Sequence, residues 1–333
     1  MESIPAITVT STLSINKGIT LTPPVIGRIT MGHTIVRADG KSLPVKDDFF
    51  SLTTLFQDKR TRVWEKHPLQ DTLVKANEKL RAIPVRLAYN DPNLTLHNSF
   101  SAFDQKTGRI LCAGNGTKAR RCTEEGVKEI DCPRPAACEF GVRQYCKNMS
   151  RAYFQVDGQG DDLGTFILRT TSFNSLNYLG SRLAALSGLT GGKLAGMPLM
   201  LVMGTKTTTQ SFREPIYFAD LVVRPGMTLL SAVQVAKEYQ EAMTQAGLSL
   251  DGMETQMRAG LANSDFSDEI EDIDEWISDE DLVAAASAQQ AARGTGLKGM
   301  DSLAANLDRI AEAHTATTTD AASPAPADEA AAA

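Results

Sequence analysis

Four cysteines fall within one short stretch, RRCTEEGVKEIDCPRPAACEFGVRQYCKN, which begins at Arg120. They are Cys122, Cys132, Cys138 and Cys146, spaced C-x9-C-x5-C-x7-C, and the fifth cysteine, Cys112, stands just upstream. Thiolates are soft donors, and four of them complete the tetrahedral shell of a zinc ion. Loops of five to nine residues close back onto a metal without strain, helped here by Gly126, Pro133, Pro135 and Gly141. Arg120, Arg121, Arg134, Arg143 and Lys147 flank the cysteines. Their charge would offset a doubly negative tetrathiolate site and lower thiol pKa values. An iron–sulfur cluster takes the same ligands and is the alternative cofactor; scattered cytosolic thiols are the bland alternative. A zinc ion closed by four thiolates has no position left for a reacting water, so the expected role is structural. Cys112 reads as a buried free thiol on a strand.

No other constellation carries chemistry. The four histidines, His33, His67, His97 and His314, form no H-E-x-x-H pair and sit near no G-x-S-x-G elbow. The Gly-rich GLTGGKLAG at 188–196 follows a helical pattern, whereas a phosphate-binding loop precedes its helix, so it reads as a connection. An enzyme is disfavoured, and a metal-dependent hydrolase would need an open coordination position.

The elements that must hold the cysteine loop are readable from periodicity. VIGRITMGHTIV from Val25 gives strand-like runs, and ADGKSLP is a turn signal. QDTLVKANEKLR spaces Leu73, Val74, Asn77 and Leu80 as a helix over 70–81, closed by Pro84. Two strands are expected around Asn90-Asp91-Pro92, and a third across the DQKTG turn that starts at Asp104. The cysteine segment itself shows almost no apolar periodicity and reads as a loop. After Cys146 come two strands, then a helix with Ser172 as N-cap, Leu176, Leu179, Leu183 and Leu186 on one face, and Gly188 just past its end. Two more strands follow, then a helix in which Leu230, Val233, Ala236 and Tyr239 recur at three. The expected fold is α+β: a mainly antiparallel sheet with a few packed helices, the four-cysteine zinc loop at 112–147, and a disordered acidic C-terminal tail. The expected organisation is a flexible lead-in at 1–24, a core domain at 25–247 and an acidic, Ala-rich extension at 248–333.

The chain has 333 residues and a net charge of -6. From residue 263 onward 3 basic residues face 16 acidic ones, which leaves 31 basic and 24 acidic residues in 1–262. The body is therefore basic, which permits contact with nucleic acid but is also ordinary surface charge. Within the tail, Phe266, Ile270, Ile273, Trp276 and Ile277 recur at three and four inside an acidic run. They read either as a short helical interaction motif over 265–287, steered to a basic groove, or as part of a solvated linker. No apolar run is long enough to span a bilayer and no secretory leader is evident, so a cytoplasmic location without membrane partners is expected.

Three segments taken in order carry a resemblance: IGRITMG with DGKSLPVKDDFFSLTT, GRILCAGNGTKARRCTEEG with its trailing cysteines, and CKNMSRAYFQV leading to LGTFILRTTSFNSLNYLGSRLAAL. Together they resemble the recombination directionality factor-like family of phages and integrative elements, over about residues 25 to 235. The resemblance implies a non-enzymatic accessory of mobile-element DNA recombination that binds a serine integrase at its mobile coiled-coil region and favours excision. It carries Cys122, Cys132, Cys138 and Cys146 over into the metal role. Relatives on plasmids imply the alternative of a zinc-stabilised nucleic-acid-binding protein for replication or single-strand handling. In that case DNA contacts would fall to Arg120, Arg121, Arg134, Arg143 and Lys147. The long acidic extension departs from the short phage members.

Overall fold

The computed structural model of the protein describes residues 22–36, 42–60, 63–74, 78–104, 107–207 and 215–262. Most of the lead-in and everything from residue 263 on, including Phe266, Ile270, Ile273, Trp276 and Ile277, lie outside the described residues.

The described residues form a mixed α+β fold on one large, mostly antiparallel sheet. Strands β1 (Val25–Val36), β2 (Ser42–Gln57) and β3 (Trp64–Lys66) meander outward at one end. Then come β4 (Ala82–Arg86), β5 (Leu96–Phe103), β6 (Ile110–Gly114), β7 (Lys118–Thr123) and β8 (Gly126–Asp131). The last four are β9 (Lys147–Val156), β10 (Thr165–Thr170), β11 (Pro198–Thr207) and β12 (Pro215–Val223). The main path runs β3-β2-β1-β10-β9-β5-β6-β7-β8, and β4, β11 and β12 branch from β9. Among these pairs only β1 with β10 is parallel.

Helices cover the branch. Ser172 caps α4 (Phe173–Thr190) as expected, its hydroxyl accepting from the Ser175 amide at 3.4 Å. Leu179, Leu183 and Leu186 enter the core, each contributing about 2 kcal/mol by leaving water. The helix ends later than the sequence suggests: Gly188 lies inside it, and Gly191 supplies the left-handed cap at φ 61°. Helix α5 (Leu229–Gln245) opens with a Thr228–Ser231 capping box. Its buried residues are Ala232 and Ala236, whereas Leu230 is 82% exposed. The inward face is thus set by small residues that let the helix approach the sheet.

Two stretches depart from expectation. The helix anticipated over 70–81 is only one turn, α1 (Leu69–Leu73). Leu80 is buried beyond it in irregular backbone, its carbonyl accepting from the Phe50 amide at 2.7 Å. Pro84 sits inside strand β4 rather than closing a helix. The neighbouring expectations hold: β4 and β5 flank Asn90-Asp91-Pro92, where Asp91 caps the short α2 (Pro92–Thr95), and β6 follows the DQKTG turn. Beyond residue 248, α6 (Leu250–Ala262) continues the ordered body. Its Met253 and Met257 pack on Ala88, Tyr89 and Leu94, and Glu254 is buried beside them. Among the described residues, no helix is long and apolar enough to cross a membrane.

Candidate functional site: the cysteine module

The segment read as a loop is a β-hairpin with a helical cover. KARRCT pairs with GVKEID across the two-residue turn Glu124-Glu125, and Gly126 takes φ 110° to close it. This extends the main sheet by two strands. The TEEG turn between alternating residues is the signal that could have revealed the hairpin. A 3-10 turn at Pro135–Ala137 and the short α3 (Glu139–Arg143) then fold back over one face of β6 and β7 before β9 begins.

Register decides which side chains meet. Directly paired residues in antiparallel strands share a face, and successive residues alternate. Ala102 pairs with Cys112, Cys112 with Arg121, and Ala119 with Ile130, so these occupy the covered face. Cys132 follows Asp131 at the end of β8 and falls on that same face. Its amide donates to the Thr117 carbonyl at 2.8 Å. Cys146 stands one residue before Lys147, which pairs with Ser101, and so lies level with Ala102. Cys138 is the N-cap of α3, its sulfur accepting from the Gly141 amide at 3.3 Å. A Cβ built on Gly141 would lie 3.2 Å from the Cβ atoms of both Cys138 and Cys146, so glycine lets α3 settle close between them. Cys112, Cys132, Cys138 and Cys146 line one cleft together with Arg121 and Phe140.

Cys122 is not among them. It follows Arg121 on β7 and therefore projects from the opposite face. It is exposed there, its thiol 3.7 Å from the Ile110 carbonyl. The ligand set expected from spacing thus contains one cysteine that the fold turns away, and omits Cys112, which the fold turns in. Cys112 is indeed buried on a strand, but its surroundings are other thiols.

Arg121, one of the expected surface cations, is also turned inward. Its guanidinium lies over the Phe140 ring at 4.1 Å, and Nη2 donates to the Cys138 sulfur at 3.5 Å. Its Nε is buried without a hydrogen-bond partner. Burial pushes the Cys146 thiol up to about 12, with the neighbouring thiols Cys112, Cys132 and Cys138 adding to the rise. Burial likewise raises Cys112, against the opposing pull of Arg121. Among the described residues, no three His, Cys, Asp or Glu side chains already stand in metal-ligating positions. The donor chemistry of the cleft nonetheless fits a thiophilic ion, and it fits with Cys112 rather than Cys122.

The other expected contact residues do not gather into one patch. Arg120 lies on the face opposite Arg121, paired across the strands with Glu129. Arg134 is exposed at φ 73°, and the stem of its side chain packs near Gly116. Arg143 is exposed and reaches Glu139 at 3.9 Å, and Lys147 begins β9 half-buried. On the α3 turn, Val142 is 62% and Tyr145 69% exposed. Tyr145 holds a left-handed φ of 50°, which costs about 1 kcal/mol or more for a non-glycine residue. Sequence periodicity gave no hint of this apolar pair.

The described residues thus form a mostly antiparallel α+β sheet whose β6–β8 end carries a cysteine-lined hairpin covered by α3. The chain belongs to the Gp3-like, recombination directionality factor-like family: the family model matches residues 26–224, which is β1 through the end of β12 and includes the whole cysteine module. Neither the curated proteins nor the solved structures contain a significant match to it.

Proposed function

We propose that this protein is a non-enzymatic accessory of phage or mobile-element recombination, acting in the cytoplasm, which binds a serine integrase and biases it toward excision. The family match over residues 26–224 carries the reading. The exposed Val142 and Tyr145, with Arg143 between them on the α3 turn, support a protein-contact role for the outer end of the sheet. Apolar side chains ringed by arginine are the composition that concentrates binding energy in protein interfaces. The effect on direction is a population shift: the protein binds one integrase arrangement more tightly and so enriches it. A preference of about 100-fold supplies about 2.7 kcal/mol, enough to reverse a modest bias.

The test is recombination in vitro between hybrid attachment sites with the cognate integrase, with the protein present and absent. Excision is expected only in its presence, and the double variant Val142→Ser with Tyr145→Ala is expected to weaken integrase binding about 10-fold or more. A protein that leaves both directions unchanged and binds no integrase would overturn the reading. Truncation after residue 262 removes Phe266, Ile270, Ile273, Trp276 and Ile277 together with the acidic run. We expect it to change integrase affinity in a salt-dependent way, because charge steering is screened by salt. Identical affinities of the full and truncated chains at every salt concentration would remove the tail from the mechanism. The inward turn of Arg121 and the opposite face of Arg120 count against a continuous DNA-binding patch built from the five basic residues.

A further inference from the structure

We propose that the cysteine module binds one zinc ion through Cys112, Cys132, Cys138 and Cys146, with Arg121 as the cation that offsets the charge of the site and Cys122 outside it. Two independent observations carry this. First, strand register, the end of β8, the α3 cap and the entry to β9 deliver those four thiols to one cleft from four different elements, while the alternation on β7 sends Cys122 to the other face. In sequence terms the ligand pattern becomes C-x19-C-x5-C-x7-C. Second, a half-buried guanidinium lies among sulfurs, donates to one of them and has a buried Nε without a partner. A neutral thiol is a weak acceptor and gives such a cation no counter-charge. Four thiolates around Zn²⁺ carry a net double negative charge and strong acceptor lone pairs, which a guanidinium beside them satisfies.

Binding releases four thiol protons to solvent and forms four Zn–S bonds of about 2.3 Å, which places the sulfurs about 3.8 Å apart. Reaching that geometry requires the four side chains to converge within the cleft they line. The site is closed, so the ion ties the β7–β8 hairpin and α3 to the β5–β6–β9 sheet and fixes the surface that carries Val142 and Tyr145. This assignment stands on the cysteine geometry and is independent of which partner is bound.

The experiment measures metal content and cobalt spectra on the full chain purified under reducing conditions. Wild type is expected to hold about one zinc per chain, Cys122→Ser to hold the same, and Cys112→Ser to lose about tenfold or more of it. Where Cys112→Ser fails to fold, Co²⁺ replaces zinc in Cys122→Ser, which lacks only an exposed thiol. Thiolate-to-cobalt charge-transfer absorption as strong as that of wild type then shows four sulfur ligands without Cys122. Weakened absorption in that variant, zinc retained by a folded Cys112→Ser, wild type that takes up no zinc even when titrated with it, or iron with acid-labile sulfide in the purified protein would each overturn the assignment.

Discussion

Replacing Glu254 by alanine is expected to release helix α6 from the body while leaving the sheet folded. Glu254 is 2% exposed and sits where α6 meets the turn after β4. Its Oε1 accepts from the Asn90 amide at 2.5 Å and from the Asp91 amide at 3.4 Å. Its Oε2 accepts from Arg258 Nη2 at 2.8 Å, and Arg258 Nε donates to Asp91 at 2.8 Å. Removing the carboxylate strands a buried backbone donor and loosens the arginine, at a cost of about 3 kcal/mol. The Met253 and Met257 contacts alone form a small interface, so α6 should open locally rather than unfold the chain. Hydrogen exchange should therefore accelerate about 100-fold at residues 250–262 and remain slow in β9 and β10. Retained protection in α6 would show that the network does not hold it.

Glu254→Gln keeps an oxygen for the Asn90 amide and should cost about 1 kcal/mol. Acid tests the same latch. Burial raises the Asp91 carboxyl, but the hydrogen bonds from Arg258 and Asn93 together outweigh it and hold it below its ordinary value. A carboxyl depressed in the folded state stabilises above its unfolded pKa, near 4, and loses that contribution as pH falls through the folded value. Docking of α6 should accordingly weaken below about pH 4.

Gly196→Ala is expected to lower the melting temperature by about 10 °C, a loss of about 3–5 kcal/mol. Gly196 holds φ 82°, and a Cβ there would lie 2.3 Å from the Tyr239 ring and 2.7 Å from the Tyr239 Cβ. The second distance matters more, because a ring can swing away whereas a Cβ fixed to helix α5 cannot. The loop has little room to retreat: the Gly196 amide donates to the Leu87 carbonyl at 2.8 Å, and Gln240 binds the Ala195 carbonyl at 2.9 Å. Gly191→Ala is the control. It has φ 61° and open space around the new methyl group, so only the backbone cost of about 1 kcal/mol applies, or about 3 °C. Equal melting temperatures for the two variants would remove the α5 contact as the cause.

Much of the framework was legible because it depends on local chemistry. The apolar run in TFILRT marked a strand, Ser172 marked the start of α4, and Leu179 and Leu183 marked its inner face. The order of three short motifs pointed to the family over about residues 25 to 235, and the family model matches 26–224. Where reading failed, contacts distant in sequence overrode the local pattern. Leu80 has helical spacing but lies in irregular backbone, buried in the same core cluster as Phe50 and bonded to its amide. Leu230 has helical spacing but faces water, while Ala232, Ala236 and the partly buried Val233 form the inward face of α5.

The cysteine module shows the division most sharply. Sequence alone determined that thiols cluster in a basic, Gly- and Pro-rich segment, since that is a matter of composition and spacing. Only the tertiary structure decided which four of the five line one cleft. Arg121 and Cys122 are adjacent, so a strand must send them to opposite sides, but nothing local says which side α3 will cover. That choice is made by the pairing of β7 with β6, which puts Arg121 opposite Cys112, and by Gly141, which lets α3 close over that face. A strand fixes that neighbours point apart; only its partners fix which of them points in.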